Sequence, residues 1–418
     1  MAVCTDAGRN LIKVAVLSAA GLIAMTLPAA AQSTAEGQGG IQLTFGIAQR
    51  LQTNDNLDLD VVSLGRTHET STRLSFGLLT ETRNSRFYLD AAARIRAANG
   101  PAITKSGFEV SSPQIALGYS RSSVSSTFSL DASLRETDLA RDAEVTDFDN
   151  NTGIRRDTDL STALNWGEDR RLGFGLSAGW EVSDYSAAAG QADTRRTRVG
   201  ASVRMDLSTA TLLTLDATRS QFREDGVPGL RDTNSLGATL TLERPDGAFT
   251  LRGTVTDTED GTQTALSFGR SLDLPLGRLA LTVGASRGTT GKTYPTADIS
   301  YNQTLPRGAL TASLSRSIGA ATDDDSEQLS TRASLGLTHQ IGPRSDVRFD
   351  LSWAENEETA TGLATANGSF GATLTQALTE DWALDVGYRH RLRNEDGVGR
   401  SRDNGVFLEV KRTFSTRF

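Results

Sequence analysis

Cysteine is almost missing from this chain. The single one, Cys4, lies in an N-terminal leader. With no thiol beyond it, disulfide frameworks and thiolate metal centres are excluded. Histidine is nearly as scarce: His68, His339 and His390 are the whole set. No Gly-rich phosphate loop, zinc-ligand spacing or EF-hand loop occurs. Beyond the leader, no run reaches the roughly 18–20 apolar residues that a spanning helix needs. Hydrophobic residues make up 37% and aromatics 6% of the 418 residues, which is lean for a soluble domain of this length. Basic residues are outnumbered, 43 Lys and Arg against 51 Asp and Glu, for a net charge of −8. That balance argues against a nucleic-acid partner.

What is present begins with an export signal. Arg9 and Lys13 form a positive region, Val14 to Leu27 an apolar one, and Ala29-Ala30-Ala31 a small-residue cleavage site before Gln32. The apolar run is too short for a membrane anchor, and no cysteine stands at the cleavage site to carry a lipid. Residues 1–31 are therefore expected to be a cleaved signal peptide, 32–40 a short polar lead-in, and 41–418 the folded domain.

From Ile41 onward apolar and polar residues alternate. Ile41, Leu43, Phe45 and Ile47 share one parity, and Gln42, Thr44, Gly46 and Ala48 the other. Further on, Phe128, Leu130, Ala132 and Leu134 alternate with Ser, Asp and Arg, as do Leu172, Phe174, Leu176, Ala178, Trp180 and Val182 with Gly, Ser and Glu. Period two places each set on one face of a strand. About twenty such segments follow one another, each roughly nine to thirteen residues, the length a tilted strand needs to cross a bilayer.

The links between them alternate too. Tight turns are expected at Arg83-Asn84-Ser85, Gly167-Glu168-Asp169, Ser208-Thr209-Ala210, Pro245-Asp246-Gly247, Pro275-Leu276-Gly277, Pro306-Arg307-Gly308, Gly342-Pro343-Arg344 and Thr379-Glu380-Asp381. Longer polar links are expected between them, as at Arg50–His68, Asp138–Arg155, Asp184–Arg196, Gln221–Thr233 and Arg393–Asn404. None is long enough to suggest a constriction loop inside a barrel. Phe87, Tyr119, Trp166, Phe249, Phe349, Trp382 and Phe418 fall near the tight turns, and Trp180, Tyr185, Tyr294, Trp353 and Tyr388 near the longer links. Two aromatic belts at the bilayer interfaces would suit such rings.

The chain ends on a strand whose outward set is Val406, Leu408, Val410, Phe414 and Phe418. This closing strand, stopping on an aromatic carboxylate, resembles that of bacterial outer-membrane β-barrels. The resemblance extends over the whole mature chain. It implies an all-β, transmembrane antiparallel up-and-down meander β-barrel of about 20 strands (roughly 18–22), placed in the outer membrane of a Gram-negative cell. It implies Phe414 and Phe418 as a signal for the barrel assembly machinery, and membrane lipid and lipopolysaccharide as surroundings. Its motifs match no particular porin family. A soluble sandwich array or a solenoid would need more apolar content or a fixed repeat period.

Catalysis is not expected: the histidines cannot be assembled with Ser, Asp or Asn on inward faces, as barrel phospholipases and proteases require. No catalytic residue, metal ligand or cofactor is assigned. The acidic run Thr322–Glu327 could attract a divalent cation, but its order lacks the spaced ligands of a dedicated loop, and it reads as a solvated link.

The lumen-facing parity carries Asp90, Arg94, Asp131, Arg135, Asp159, Arg171, Arg204, Asp206, Asp216, Arg252, Asp298, Arg348, Asp350, Asp385 and Arg389, followed by Glu409 and Lys411, with Ser, Thr and Gly between. These are the candidate pore-lining residues. Acid and base on neighbouring strands would pair across the wall, and together they would set the field of an aqueous pore. A passive channel for small hydrophilic solutes is the first expectation. An exopolysaccharide export conduit with periplasmic partners and a non-transport surface barrel are the alternatives.

Overall fold

A computed structural model describes residues 40–101, 107–142, 144–148, 153–188, 190–320 and 326–418. The leader 1–31, residues 32–39 of the lead-in and residues 321–325 of the acidic run lie outside the described residues.

The described chain forms twenty strands. They are β1 (Gly40–Asn54), β2 (Thr67–Glu81), β3 (Ser85–Asn99), β4 (Phe108–Ser122), β5 (Ser126–Asp138), β6 (Ile154–Trp166), β7 (Leu172–Ser186), β8 (Thr194–Asp206), β9 (Thr211–Glu224), β10 (Arg231–Arg244), β11 (Gly247–Thr258), β12 (Gly261–Leu274), β13 (Gly277–Arg287), β14 (Thr293–Leu305), β15 (Gly308–Ala320), β16 (Glu327–Gly342), β17 (Ser345–Glu358), β18 (Ala364–Ala377), β19 (Trp382–Glu395) and β20 (Gly399–Arg417). Each pairs antiparallel with its successor, and β20 returns to pair with β1. Every strand thus has two partners and the sheet has no edge, the one way a β structure can satisfy its backbone in hydrocarbon.

The registers carry a single parity around the whole cylinder. Phe45 faces Phe76 on β2 and Phe414 on β20; Leu251 faces Leu240 and Phe268. Paired residues point to the same side of a sheet, so the apolar set lies outside throughout. Leu236 and Leu266 on that face are 64% and 60% exposed. The buried apolar residues, by contrast, are only Leu57, Leu139, Val182, Phe222, Leu329 and Ala354 among the described residues. A chain that exposes its large hydrophobics and has so little apolar core is built for a lipid solvent. This is an outer-membrane β-barrel.

Aromatic pairs strengthen the outer face near the tight turns: Trp166 stacks on Phe174 at 5.5 Å, and Phe249 lies 6.0 Å from Phe268. Arg270 and Arg412 fall on the outward parity and fold their guanidinium groups over Phe249 and Phe414, at 4.1 Å in each case. In this way their charged ends run along aromatic faces. Two aromatics expected in the belts are placed otherwise. Tyr185 pairs with Arg155, and Tyr294 with Ser286, on the inward parity. Their nearness to a link was right, but their position in the alternation puts them in the lumen.

The strands are longer than expected and absorb several of the longer links. Links 55–66 and 139–153 remain substantial, whereas β11 and β12 are joined by Glu259 and Asp260 alone. The contrast between long and short links is therefore strong around β1–β8 and fades around β11–β20. One bulge positions two inward arginines of β3. Between β3 and β4 the register shifts at Ala92/Arg94, and Ser112 takes a φ of 50° beside Pro113. Proline cannot donate to the ladder, and a bulge is where a strand tolerates it. The shift sets Arg94 opposite Ser111 and Arg96 opposite Glu109.

The first and last strands close one seam. Ile41 N donates to Phe418 O at 3.2 Å, and Phe418 N to Ile41 O at 2.8 Å. Deleting Phe418 removes both bonds together with its aromatic ring. The fraction of chain that migrates on a gel as a heat-modifiable barrel is expected to fall severalfold in cells. An unchanged fraction would show that the terminal residue is dispensable for assembly.

Candidate functional site at the loop-filled mouth

Register places Asp90 and Arg94 on β3, Asp131 and Arg135 on β5, Asp159 on β6, Arg204 and Asp206 on β8, Asp216 on β9, Arg252 on β11, Asp298 on β14, Arg348 and Asp350 on β17, and Asp385 and Arg389 on β19, all on the inward parity. Arg171 is the exception. It sits in the turn 167–171 between β6 and β7 and is exposed. The strand begins one residue later than the alternation implied, because the turn uses Gly167 at φ 73° and needs the intervening residues to close.

Many inward charges pair. Lys411 Nζ donates to Asp385 at 2.6 Å, and Arg348 Nε to Asp350 at 2.8 Å. Arg252 on β11 reaches past β10 to Asp216 on β9, 3.3 Å away. The side chain of Asp216 lies over Gly237, where an added Cβ would meet its Oδ2 at 2.5 Å. The glycine leaves the gap this contact crosses. Arg204 turns to the tight-turn end instead, donating to the carbonyl oxygens of Glu168 and Arg170 at 2.8 Å each.

The densest chemistry lies at the other end. The described parts of links 55–66 and 139–153, read from the sequence as too modest to constrict anything, turn into the barrel. The reason is electrostatic. Arg96 is 2% exposed and gathers four carboxylates: Asp138 at 2.7 Å, Glu109 at 2.8 Å, Asp142 at 3.3 Å and Glu69 at 4.0 Å. Arg94 adds a 2.8 Å bond to Asp142, and Arg141 one of 2.8 Å to Glu109. A few residues on, Asn367 of β18 donates to the carbonyl oxygens of Val145 and Asp147, and Arg393 of β19 to that of Phe148. The link that leaves β5 is thus tied to β3 at one point and to β18 and β19 at another.

Link 55–66 is held by a second buried charge. Asp403, 0% exposed, accepts from Asn54 Nδ2 at 2.7 Å, from Asn56 N at 3.1 Å and from Arg391 at 2.9 Å. Arg391 also donates to Leu57 O. Leu57 and Leu139, one from each link, are among the few buried apolar side chains. Both links therefore pack against the sector formed by β18–β20 and β1–β5, and none of these contacts reaches the arc β8–β17.

Titration of the links follows from their setting. Burial pushes the Asp142 carboxyl up, but Arg94, Arg96 and a hydrogen bond from Ser112 outweigh it and hold the group below the usual carboxylate range. Burial pushes Asp58 the other way, above it. A depressed carboxylate stabilises the fold above its unfolded value, about 3.9, and that stabilisation is lost as pH falls through the lower folded value. Asp58 has the opposite sign: its contribution is present below its unfolded value and fades as pH rises through the raised one. Link 139–153 should thus stay docked from neutral pH down to about pH 4 and release below it. Hydrogen exchange of residues 139–142 recorded against pH should show that step in the wild type and lose it in Asp142→Asn.

The candidates taken from period two did not include Arg96, Asp138, Asp142, Arg391 or Asp403. Their signal was compositional: the runs Asp138-Leu139-Ala140-Arg141-Asp142 and Arg389-His390-Arg391-Leu392-Arg393 concentrate charge at strand ends. The histidines do not converge. His68, expected in a link, is the second residue of β2, with its Nδ1 2.9 Å from Thr53 Oγ1; His339 and His390 lie on the outward parity of β16 and β19. Glu327, at the end of the acidic run, accepts from Gln263, Thr289 N and Thr359 at 2.6–2.8 Å.

No family model matches the sequence, and no curated protein matches it either. Solved structures do resemble it. The siderophore receptor PirA from Pseudomonas aeruginosa is 9% identical over 90% of this chain and 81% of its own, with a TM-score of 0.50. The ferric enterobactin receptor PfeA from the same organism, in complex with BCV-L6, is 12% identical over 90% and 82%, at 0.50. The iron transporter FrpB from Neisseria meningitidis (F3-3 variant) is 9% identical over 91% and 82%, also at 0.50. At such identities the likeness is one of fold.

Proposed function

We propose that this barrel lets small hydrophilic solutes cross the outer membrane through a lumen narrowed on one side. The observation that carries this reading is the contrast between two arcs of the wall. The inward faces of β9–β16 are dominated by small residues, such as Gly237 and Thr239, Thr250 and Thr254, Ser267 and Gly269, Thr282 and Gly284, and Ser313 and Ser334. Short polar side chains leave room for water and offer it hydroxyl groups. The opposite sector carries the two docked links.

Planar-bilayer recording of the refolded protein tests this reading. A steady conductance is expected, with an ion selectivity that shifts in Asp131→Asn and Arg204→Ala. A silent bilayer, from protein that is heat-modifiable on a gel and therefore folded, would overturn it and favour a surface barrel without transport. The mixed charge of the wall fits an acidic export polymer poorly.

A second reading is supported by the links themselves. The similar structures are named as siderophore receptors and an iron transporter, and a mouth lined by docked loops is suited to capturing a ligand. Saturable binding of a ferric chelate by whole cells, lost on removal of links 55–66 and 139–153, would favour receptor over channel.

A further inference from the structure

Two arginines in the loop-filled sector make no direct ion pair with any acid described, although Glu409 lies within electrostatic reach of Arg73, and Asp403 and Asp142 within reach of Arg389. Among the described residues, neither Arg73 on β2 nor Arg389 on β19 lies within 4.0 Å of a carboxylate oxygen, although carboxylates crowd this part of the lumen. Arg73 is exposed to the lumen, and in register it stands directly opposite Arg94. Like charges facing each other across two strands destabilise the pair unless something neutralises them. Arg94 makes its bond to Asp142 of link 139–153, which leaves Arg73 with only the more distant Glu409 to offset it.

Between these two lies Arg50 on β1. Its guanidinium rests 3.7 Å from the centroid of Phe407 and 3.8 Å from Glu409, and its Nε is buried without a hydrogen-bond partner. The four cations are linked in sequence through space: Arg389 is within electrostatic reach of Arg50, Arg50 of Arg94, and Arg94 of Arg73. Their registers step down the wall. Arg389 is level with Asn54 of β1, Arg50 lies four residues nearer the tight-turn end, and Arg73 is level with Ala48. The steps begin beside Arg391, which anchors link 55–66, and descend beneath both links.

We propose that Arg389, Arg50, Arg94 and Arg73 form a stepped binding track for solutes that carry an oxyanion, a carboxylate or a phosphate. Guanidinium groups bind such oxygens through paired, charge-assisted hydrogen bonds. Arg389 without an ion pair at the first step, Arg50 partly satisfied below it, and Arg73 and Arg94 side by side at the lowest step allow an anion to be passed along rather than trapped, which is the balance conduction requires. The inference rests on the transport reading and narrows it to anionic solutes, despite the net charge of −8 on the chain.

Reversal potentials in a potassium chloride gradient, with and without inorganic phosphate, test the track. Wild-type protein is expected to favour anions, and phosphate to block its chloride current. Arg73→Gln and Arg389→Gln should each shift selectivity towards cations and weaken the phosphate block by roughly tenfold. Arg73→Lys should retain part of both effects, and Arg195→Gln, on the outward parity of β8, should change neither. Variants that fold, conduct and keep wild-type selectivity and block would overturn the track while leaving the channel intact. If wild-type bilayers are silent, the transport reading fails, and the track is judged by heat-modifiable migration. Phosphate should then raise the temperature at which wild-type protein unfolds, and should not do so in the two Gln variants. No such rise in the wild type would overturn it.

Discussion

Arg96→Leu is expected to open the mouth. The substitution removes one cation and leaves Glu69, Glu109, Asp138 and Asp142 crowded together, with only Arg94 and Arg141 to answer them. Losing one partner of a buried ion pair costs about 3–5 kcal/mol, chiefly because the other is left uncompensated. Here the cheapest escape is local. Asp142 can swing out with link 139–153, while Asp138 stays at the end of β5 and the strands keep their ladders. The expected result is a larger conductance, new cleavage after Arg141 by trypsin added from outside, and little change in the temperature at which the whole barrel unfolds. Arg141 is shielded in the wild type by its bond to Glu109. A variant whose conductance and cleavage match the wild type would show that the link is held by something other than this cluster.

Asp403→Ala is expected to act on the other link with a similar magnitude. Asp403 is fully buried and answers Arg391, Asn54 and Asn56 together. Its removal strands the Arg391 guanidinium, which is 6% exposed, again at a cost of about 3–5 kcal/mol. A double variant, Arg391→Leu with Asp403→Leu, discriminates between causes. Replacing both members of a buried pair by apolar groups is often close to neutral. If the penalty comes from an orphaned charge, the double variant should recover most of the unfolding temperature lost in Asp403→Ala. If it comes from the lost anchoring of Asn54 and Asn56, the double variant should remain as unstable as the single one.

Much of the barrel could be read from period two, because that signal reports which side of a strand meets lipid. It brought out the strands β1, β5 and β7, the closing strand β20 and the inward parity of residues as far apart as Asp90 and Arg389. It says nothing about where a link goes once it leaves the sheet. Link 139–153 is mostly polar, as solvated loops are, and link 55–66 mixes five large apolar residues with its acids without a strand or helix period. What draws them inward is a set of partners distant in sequence: Arg96 for Asp138 and Asp142, Arg391 and Asp403 for residues 54–57, and Asn367 and Arg393 for residues 145–148. Arg171, Tyr185 and Tyr294 were misplaced for a simpler reason. A one-residue difference in where a strand begins, or which face it shows, is invisible when small residues fill the positions around it.

The hairpin at Glu259 and Asp260 has a consequence for how the cell surface is seen. Two residues cannot lift the chain far above the sheet, so this stretch of rim stands low and a sugar coat on the leaflet would bury it. Around β1–β6 the links are longer, and their described parts lie in the mouth. A large molecule that meets this face would therefore touch the links of that flank first, and variation driven by such encounters should accumulate there and spare the short hairpin.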